Sequence, residues 1–302
     1  ADVQHGPHEA ADLEGRHRTG RVENLKVLEN QEGYLANRVN HIAHLGRKSG
    51  NIVISARNQS RDAAFVKQES PMAQSTPVEP YVVVFALYPR LTQLDFTGPF
   101  EVLSRLPGAQ VHVASREGGA VRSDTKLEFS SLERLADIAR CDLICVPGGP
   151  GTEEAAQDAV FLAEIRRLAS GARYVTSVCT GSLILGAAGL LKGRRAACHW
   201  AWRDLLPIFG AIPDAGRVVR DGNVITGGGV TAGIDFALTA AAEIAGEQMA
   251  RAIQLSLEYA PQPPFVSGTP EEAGPALVET IRPYFVERRD RMAEAHGGVK
   301  AR

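Results

Sequence analysis

One cysteine stands at the end of an apolar, β-branched run in "YVTSVCTGSLILGAAGLL", residues 174–191. Thr180, Gly181 and Ser182 follow it, and a helix-forming pattern begins at once. A residue at so sharp a strand-to-helix turn is held out at the top of its sheet, with free N–H groups of the next helix aimed at it. For Cys179 this placement favours thiolate over thiol and makes the sulfur a nucleophile. The small neighbours permit the turn and leave room for a substrate. The plain alternative is a buried structural cysteine.

Asp95 lies in "LTQLDFTGPFEVL", an acid between apolar neighbours just before a helix. It either caps that helix, with Thr97 as the rival cap, or does chemistry. Beside a thiolate, a carboxyl has a raised pKa and can hold and shuttle a proton. "VPGGPG", residues 146–151, lacks both the GxGxxG of dinucleotide loops and the Lys-Ser/Thr of phosphate loops. It is either a tight turn or a loop whose Gly148 and Gly149 amides donate to charge growing on a substrate. His199, in "CHW", either faces the same site or packs. Cysteine hydrolases need a committed histidine base, and the residue after Cys179 is Thr180. A Cys–acid pair without that base suits addition chemistry, in which no amine is expelled.

The elements that must carry these residues follow from periodicity. "YVVVFAL", "AQVHVAS", "CDLICVPGG" and "YVTSVC" read as buried strands. "DFTGPFEVLSRL" reads as a helix with Pro99 in its first turn, and "EEAAQDAVFLAEIRRLASGA" as one helix. "AVRSD" with "LEFSS" predicts a hairpin. So does "RVVRDGNVIT", turning at Asp221-Gly222. "RRAACHW" predicts a strand, "AWRDLLPIFG" a helix, and "GIDFALTAAAEIAGEQMARAIQLSLEY" a long helical stretch broken at Gly246. Thr231, in "TGGGVTAG", is a candidate cap. "EEAGPALVETIRPYFVERRDRMAEA" reads as one charged helix.

Strands alternating with helices imply an α/β fold, a flavodoxin-like three-layer sandwich with a mostly parallel sheet, helices on both faces and a nucleophile elbow. Ligands bind such sheets beyond the carboxyl ends of the strands. Asp95, the 147–151 loop and Cys179 each follow a strand, so three segments converge on one rim.

The 302 residues carry a net charge of −2, which argues for neither a nucleic-acid nor a membrane partner. No apolar run of membrane-spanning length is present. Cys141, Cys145, Cys179 and Cys198 form no CxxC pair and read as free thiols of a reducing, cytoplasmic compartment. Residues 1–79 read as an N-terminal extension, poorly ordered or not native, residues 80–296 as the domain, and 297–302 as a tail. Translation from Met72 would remove the first 71 residues. "LENQEGYLANRVNHIAHL" predicts a short amphipathic helix there, "NIVISAR" a short strand, and His41 with His44 a solvated pair with no third metal ligand near.

"QLDFTGP", "VPGGPGT", "VTSVCTGSLILGAAGLLKGRRA", "CHWAW", "RVVRDGNVITGGGVTAGIDFAL" and "LEYAPQPPF" together resemble the ThiJ/PfpI-like superfamily of glutamine-amidotransferase-like folds. Within it the likeness is to the isonitrile hydratases, over about residues 80–290. The elbow by itself is shared with sensor domains of AraC-type regulators. The resemblance implies a homodimeric, cofactor-free and metal-free enzyme that adds water to a small isonitrile, R–N≡C, giving an N-substituted formamide. It implies Cys179 as nucleophile passing through a thioimidate, Asp95 as the acid beside it, and Thr180 as a polar neighbour to the acid or to water. Protease-like and glyoxalase-like branches place His after the cysteine and Glu at the acid position, which this chain does not. The competing expectations are a ligand- or redox-sensing domain without turnover and another small-molecule hydratase or hydrolase.

Overall fold

The structure is a computed structural model that describes residues 80–298 and the strand Val53–Ser55. The helix expected in 28–45, the pair His41 and His44, and Met72 lie outside the described residues. "NIVISAR" does hold a strand, β1 (Val53–Ser55). The chain continues as β2 (Tyr81–Leu87), α1 (Gln93–Leu103), β3 (Ala109–Ser115), β4 (Gly119–Arg122), β5 (Glu128–Arg134) and β6 (Leu143–Val146). Next come α2 (Thr152–Gln157), α3 (Ala159–Gly171), β7 (Tyr174–Val178), α4 (Gly181–Ala187), β8 (Arg195–Ala196), β9 (Ile212–Pro213), β10 (Val218–Asp221) and β11 (Val224–Gly227). The described chain closes with α5 (Ala232–Ala245), α6 (Glu247–Ser256), α7 (Pro270–Ala273), α8 (Pro275–Ile281) and α9 (Pro283–Ala295).

The main sheet runs β1-β5-β3-β2-β6-β7-β11-β10, with β4 paired to β5. Only the β4–β5 and β10–β11 pairs are antiparallel. The expected flavodoxin-like architecture, a mostly parallel sheet flanked by helices, is therefore present. The central strands read as continuous apolar runs because both faces are covered. Val83 to Leu87 and Leu143 to Val146 are fully shielded from solvent. Each such large side chain contributes about 2 kcal/mol of transfer free energy. The register sets Phe85 beside Cys145, Val146 beside Ser177, and Val178 beside Gly227. The carboxyl ends of β6, β7 and β11 therefore finish level, and the loops leaving them share one rim.

Several boundaries differ from expectation for local reasons. α1 begins at Gln93, so Pro99 lies inside the helix rather than in its first turn. The helix expected over 153–172 breaks at Asp158, whose carboxylate accepts from the Val160 and Phe161 amides and caps α3. The hairpin register pairs Asp221 with Val224, so its turn residues are Gly222 and Asn223. "RRAACHW" gives only the two residues of β8, and residues 203–209 wind as a 3₁₀ helix. The charged C-terminal stretch forms three helices, because Gly274 and Pro283 interrupt it. Gly246 breaks the long helical stretch as expected, at φ 88°. Among the described residues no helix is long and apolar enough to cross a membrane.

Candidate active site

Cys179 sits one residue beyond β7 with φ of 59°, a left-handed conformation that costs a non-glycine residue about 1 kcal/mol or more. Local bonds fix it there. Its amide donates to the Gly227 carbonyl at 3.0 Å, and its carbonyl accepts from the Ser182 hydroxyl at 3.2 Å. The side chain is 5% exposed.

Asp95 reaches the cysteine from α1. It stands in the first turn of that helix and is no cap; the N-cap is Thr92, and the Thr97 hydroxyl bonds back to the Gln93 carbonyl at 3.0 Å. Phe96 anchors the turn. Its ring meets Phe85 at 5.3 Å and Phe129 edge-on at 5.2 Å, contacts worth about 1 kcal/mol each beyond burial. Asp95 is fully buried. Oδ2 accepts from the Gly148 amide at 2.9 Å, and Oδ1 has no partner among the described residues. Burial pushes the Asp95 pKa up to about 7, against the pull of the Gly148 amide and of the Cys179 thiol that donates to it.

The cysteine differs from expectation. Burial and the neighbouring Asp95 carboxylate push its thiol well above the usual range, and the Thr180 amide only partly opposes them. The four-turn dipole of a long helix is missing here, since α4 has only seven residues. Burial therefore favours a resting thiol beside the Asp95 carboxyl group over a preformed thiolate. Cys141, Cys145 and Cys198 are also buried and pushed up to about 12 by desolvation, as inert core thiols should be.

Gly148 and Gly149 do approach closely, but their amides point inward. Gly148 N–H serves Asp95, and Gly149 N–H donates to the Thr180 hydroxyl at 2.9 Å. They hold the acid and the threonine rather than a substrate oxygen. A Cβ on Gly148 would sit 2.5 Å from the Thr180 nitrogen and 2.9 Å from Asp95 Oδ2. Gly149, at φ 144°, would place one 2.3 Å from the Thr92 nitrogen. The Gly148 carbonyl accepts from the Thr92 amide at 2.9 Å, which laces the loop to the start of α1.

Thr180 makes no hydrogen bond to Asp95 among the described residues. Its hydroxyl lies 2.7 Å from that of Thr152, which lies 3.0 Å from the Tyr88 hydroxyl, which donates to the Pro147 carbonyl at 2.9 Å. This buried hydroxyl chain has no signature in the sequence, because its members are 28 to 64 residues apart. Thr231 precedes α5 but makes no side-chain cap.

His199 lies beyond β8 and lines the cavity over Cys179. Desolvation lowers its pKa to about 4, so the ring is neutral near pH 7. Nδ1 accepts from the Ala201 amide at 3.3 Å, which leaves the proton on Nε2. The ring is a hydrogen-bond donor there, not a strong base. Phe285 of α9 packs on it at 5.5 Å and meets Trp200 edge-on at 5.8 Å.

The cavity is about 260 Å³. Cys179, Thr180, Pro150 and Val230 line it from the sheet rim, and Phe285 and Arg288 from α9. Sequence reasoning missed the two α9 residues. Their only signal is the spacing of Phe285, Arg289 and Met292, which puts one seam of a charged helix against the domain. Arg289 pairs with Asp204, and Arg291 Nε meets both oxygens of Glu153 at 2.8 and 2.9 Å. Among the described residues no cluster of three His, Cys, Asp or Glu side chains could hold a metal ion.

Comparison with known proteins places the chain in a family. The sequence model of the DJ-1/PfpI family matches residues 81–243, more than half of the chain. The chain belongs to the DJ-1/PfpI family. It is similar to isonitrile hydratase of Pseudomonas putida, 54% identical over 198 residues that make up 66% of this chain and 87% of that protein. Among solved structures it is similar to a ThiJ/PfpI family protein from Pseudomonas syringae, with a TM-score of 0.71 and 37% identity over 76% of this chain and 99% of that one. The DJ-1beta structure of Drosophila melanogaster aligns with a TM-score of 0.53 and 25% identity, over 60% of this chain and 99% of that one. The family model stops before α9, so Phe285 and Arg288 lie outside the matched segment.

Proposed function

We propose that this DJ-1/PfpI member is an enzyme, an isonitrile hydratase that converts R–N≡C and water to R–NH–CHO. The observation that carries the reading is the buried Cys179–Asp95 pair, with Oδ1 of Asp95 left without a partner and a neutral His199 beside it. The identity to the Pseudomonas putida enzyme supports the same substrate class.

The reaction moves one proton from sulfur to carbon and then adds water. Cys179 gives its proton to the Asp95 carboxylate as sulfur bonds to the terminal isonitrile carbon. Asp95 returns that proton to the same carbon, leaving the thioimidate R–N=CH–S–Cys179. Asp95, a carboxylate again, takes a proton from water as the water oxygen adds to that carbon, and the nitrogen gains the proton. The C–S bond then breaks, the new hydroxyl becomes the formyl carbonyl, and its proton returns to sulfur. Burial serves this cycle by raising the Asp95 pKa to about 7, where the carboxyl can both take and return a proton near neutral pH. Redox sensing is less well supported, since it favours exposed thiols of low pKa and Cys179 is neither.

The test is an assay of formamide production from cyclohexyl isonitrile. Wild type turns over, Cys179→Ala does not, and Asp95→Asn loses about 10³-fold in kcat, within the span of general acid–base effects. A folded wild type without turnover, or an active Cys179→Ala, overturns the reading.

A further inference from the structure

We infer that the Cys179 cavity selects isonitriles bearing an anionic group, a carboxylate above all, and that Arg288 receives that group. The inference rests on the hydratase reading and adds the substrate class.

Arg288 differs from its neighbours on α9. Arg289 pairs with Asp204, Arg291 with Glu153 and Glu287, and the Arg282 guanidinium lies over the Trp200 ring. Among the described residues no carboxylate pairs with Arg288. Its one hydrogen bond runs to the Tyr284 carbonyl of its own helix, at 3.4 Å. Yet Arg288 is the cation among the residues that line the reactive cavity, together with Phe285, His199 and Thr92. Arg288 is half-buried and has no counter-charge among the described residues, and its planar fork matches a carboxylate bidentately.

The other charge at this cavity sharpens the assignment. Asp124 also lines it, but both of its oxygens are engaged. Oδ1 accepts from the Thr125 amide at 2.9 Å and Oδ2 from the Thr92 hydroxyl at 3.2 Å. An anionic substituent is repelled from Asp124 and drawn to Arg288. The isonitrile end itself is neutral and offers no hydrogen-bond donor, so the charge must sit on R. With the reacting carbon at Cys179, a short chain ending in carboxylate occupies the small cavity and completes the ion pair that α9 leaves open. Arg288 also lies beyond the residues matched by the family model, where specificity can differ without touching the reacting pair.

The experiment compares an ω-isocyanoalkanoate with its methyl ester, on wild type and on Arg288→Gln and Arg288→Lys. Expected for wild type is an acid-to-ester ratio in kcat/KM of about ten or more, carried by KM. Arg288→Gln brings the ratio to near one, and Arg288→Lys restores part of it. Raised salt lowers the wild-type ratio. A wild-type ratio near one, or the same ratio in wild type and Arg288→Gln, overturns the inference while leaving the hydratase reading intact. If neither of these nor cyclohexyl isonitrile is turned over, the hydratase reading fails. Calorimetric binding of the matching formamido acid and its ester then decides. Tighter binding of the acid, lost in Arg288→Gln, supports the anion preference, and equal binding overturns it.

Discussion

The sheet rim around Cys179 and the helix α9 that borders the same cavity are built by different physics. The rim is held by short-range exclusion. Glycines let Thr180, Asp95 and the 147–151 loop approach within distances no side chain allows, and backbone bonds fix the rest. α9 is held by a few apolar side chains, Met292 and Ala293 among them, and by ion pairs at its surface. The difference teaches a division of labour. On the hydratase reading, the reacting pair belongs to the part that cannot yield, and substrate choice belongs to the part that can.

The sharpest way to break the comparison is Gly148→Ala. A methyl group there meets the backbone nitrogen of Thr180 at 2.5 Å, closer than a carbon atom can approach without a backbone shift. Stability should fall by about 3 kcal/mol and kcat by about 10³-fold, because the Asp95–Gly148 bond is lost with the fit. Urea melts and the formamide assay check this; an active, stable variant would show a yielding rim.

Next in size is pH. With the thiol neutral and the Asp95 pKa at about 7, the pair carries a single proton only above that pH. On the hydratase reading, kcat/KM falls about tenfold per unit as pH drops below 7 and reaches a plateau above it. Stability runs the other way. The folded state holds the Asp95 proton more tightly than the unfolded chain, so this contribution is full below about pH 4 and is lost as pH rises through about 7. At about 1.4 kcal/mol per unit the loss is on the order of 4 kcal/mol. Asp95→Asn lacks it, so the variant should gain on wild type between pH 4.5 and 8 in denaturant titrations. A constant gap would mean that Asp95 is not a strained, buried acid.

The smallest effect belongs to α9. Arg291→Gln removes the Glu153 pair and loosens the helix that carries Phe285 and Arg288. KM should rise two- to fourfold with kcat within a factor of two. A large fall in kcat would mean that α9 takes part in the chemistry and that the two regions are not separate.

The rim was legible in the sequence and α9 was not, and the same contrast explains why. Buried strands, a Gly-Gly loop and a cysteine before small residues leave period and composition signals that need no partner to be read. They placed Asp95, Gly148 and Cys179 together, and Gly148 N–H does meet Asp95 at 2.9 Å. What escaped depends on who stands opposite. Two glycine amides read as substrate donors turn inward because Asp95 and Thr180 compete for them. The raised Cys179 pKa needs the burial of its surroundings, which no local pattern reports. Phe285 and Arg288 are hidden in a run of charges, because helix faces become visible only when the neighbour is known.

The left-handed backbone at Cys179 has a consequence for how this protein would respond to selection. Glycine adopts that conformation without penalty, asparagine and aspartate at a reduced one, and other exchanges at the position keep the strain. A library of variants sorted only for resistance to heat or protease would therefore favour glycine at position 179 and, on the hydratase reading, discard the nucleophile. If Cys179 is the nucleophile proposed above, stability screens on this scaffold need a catalytic selection beside them, or the first improvement they return will be an inert protein.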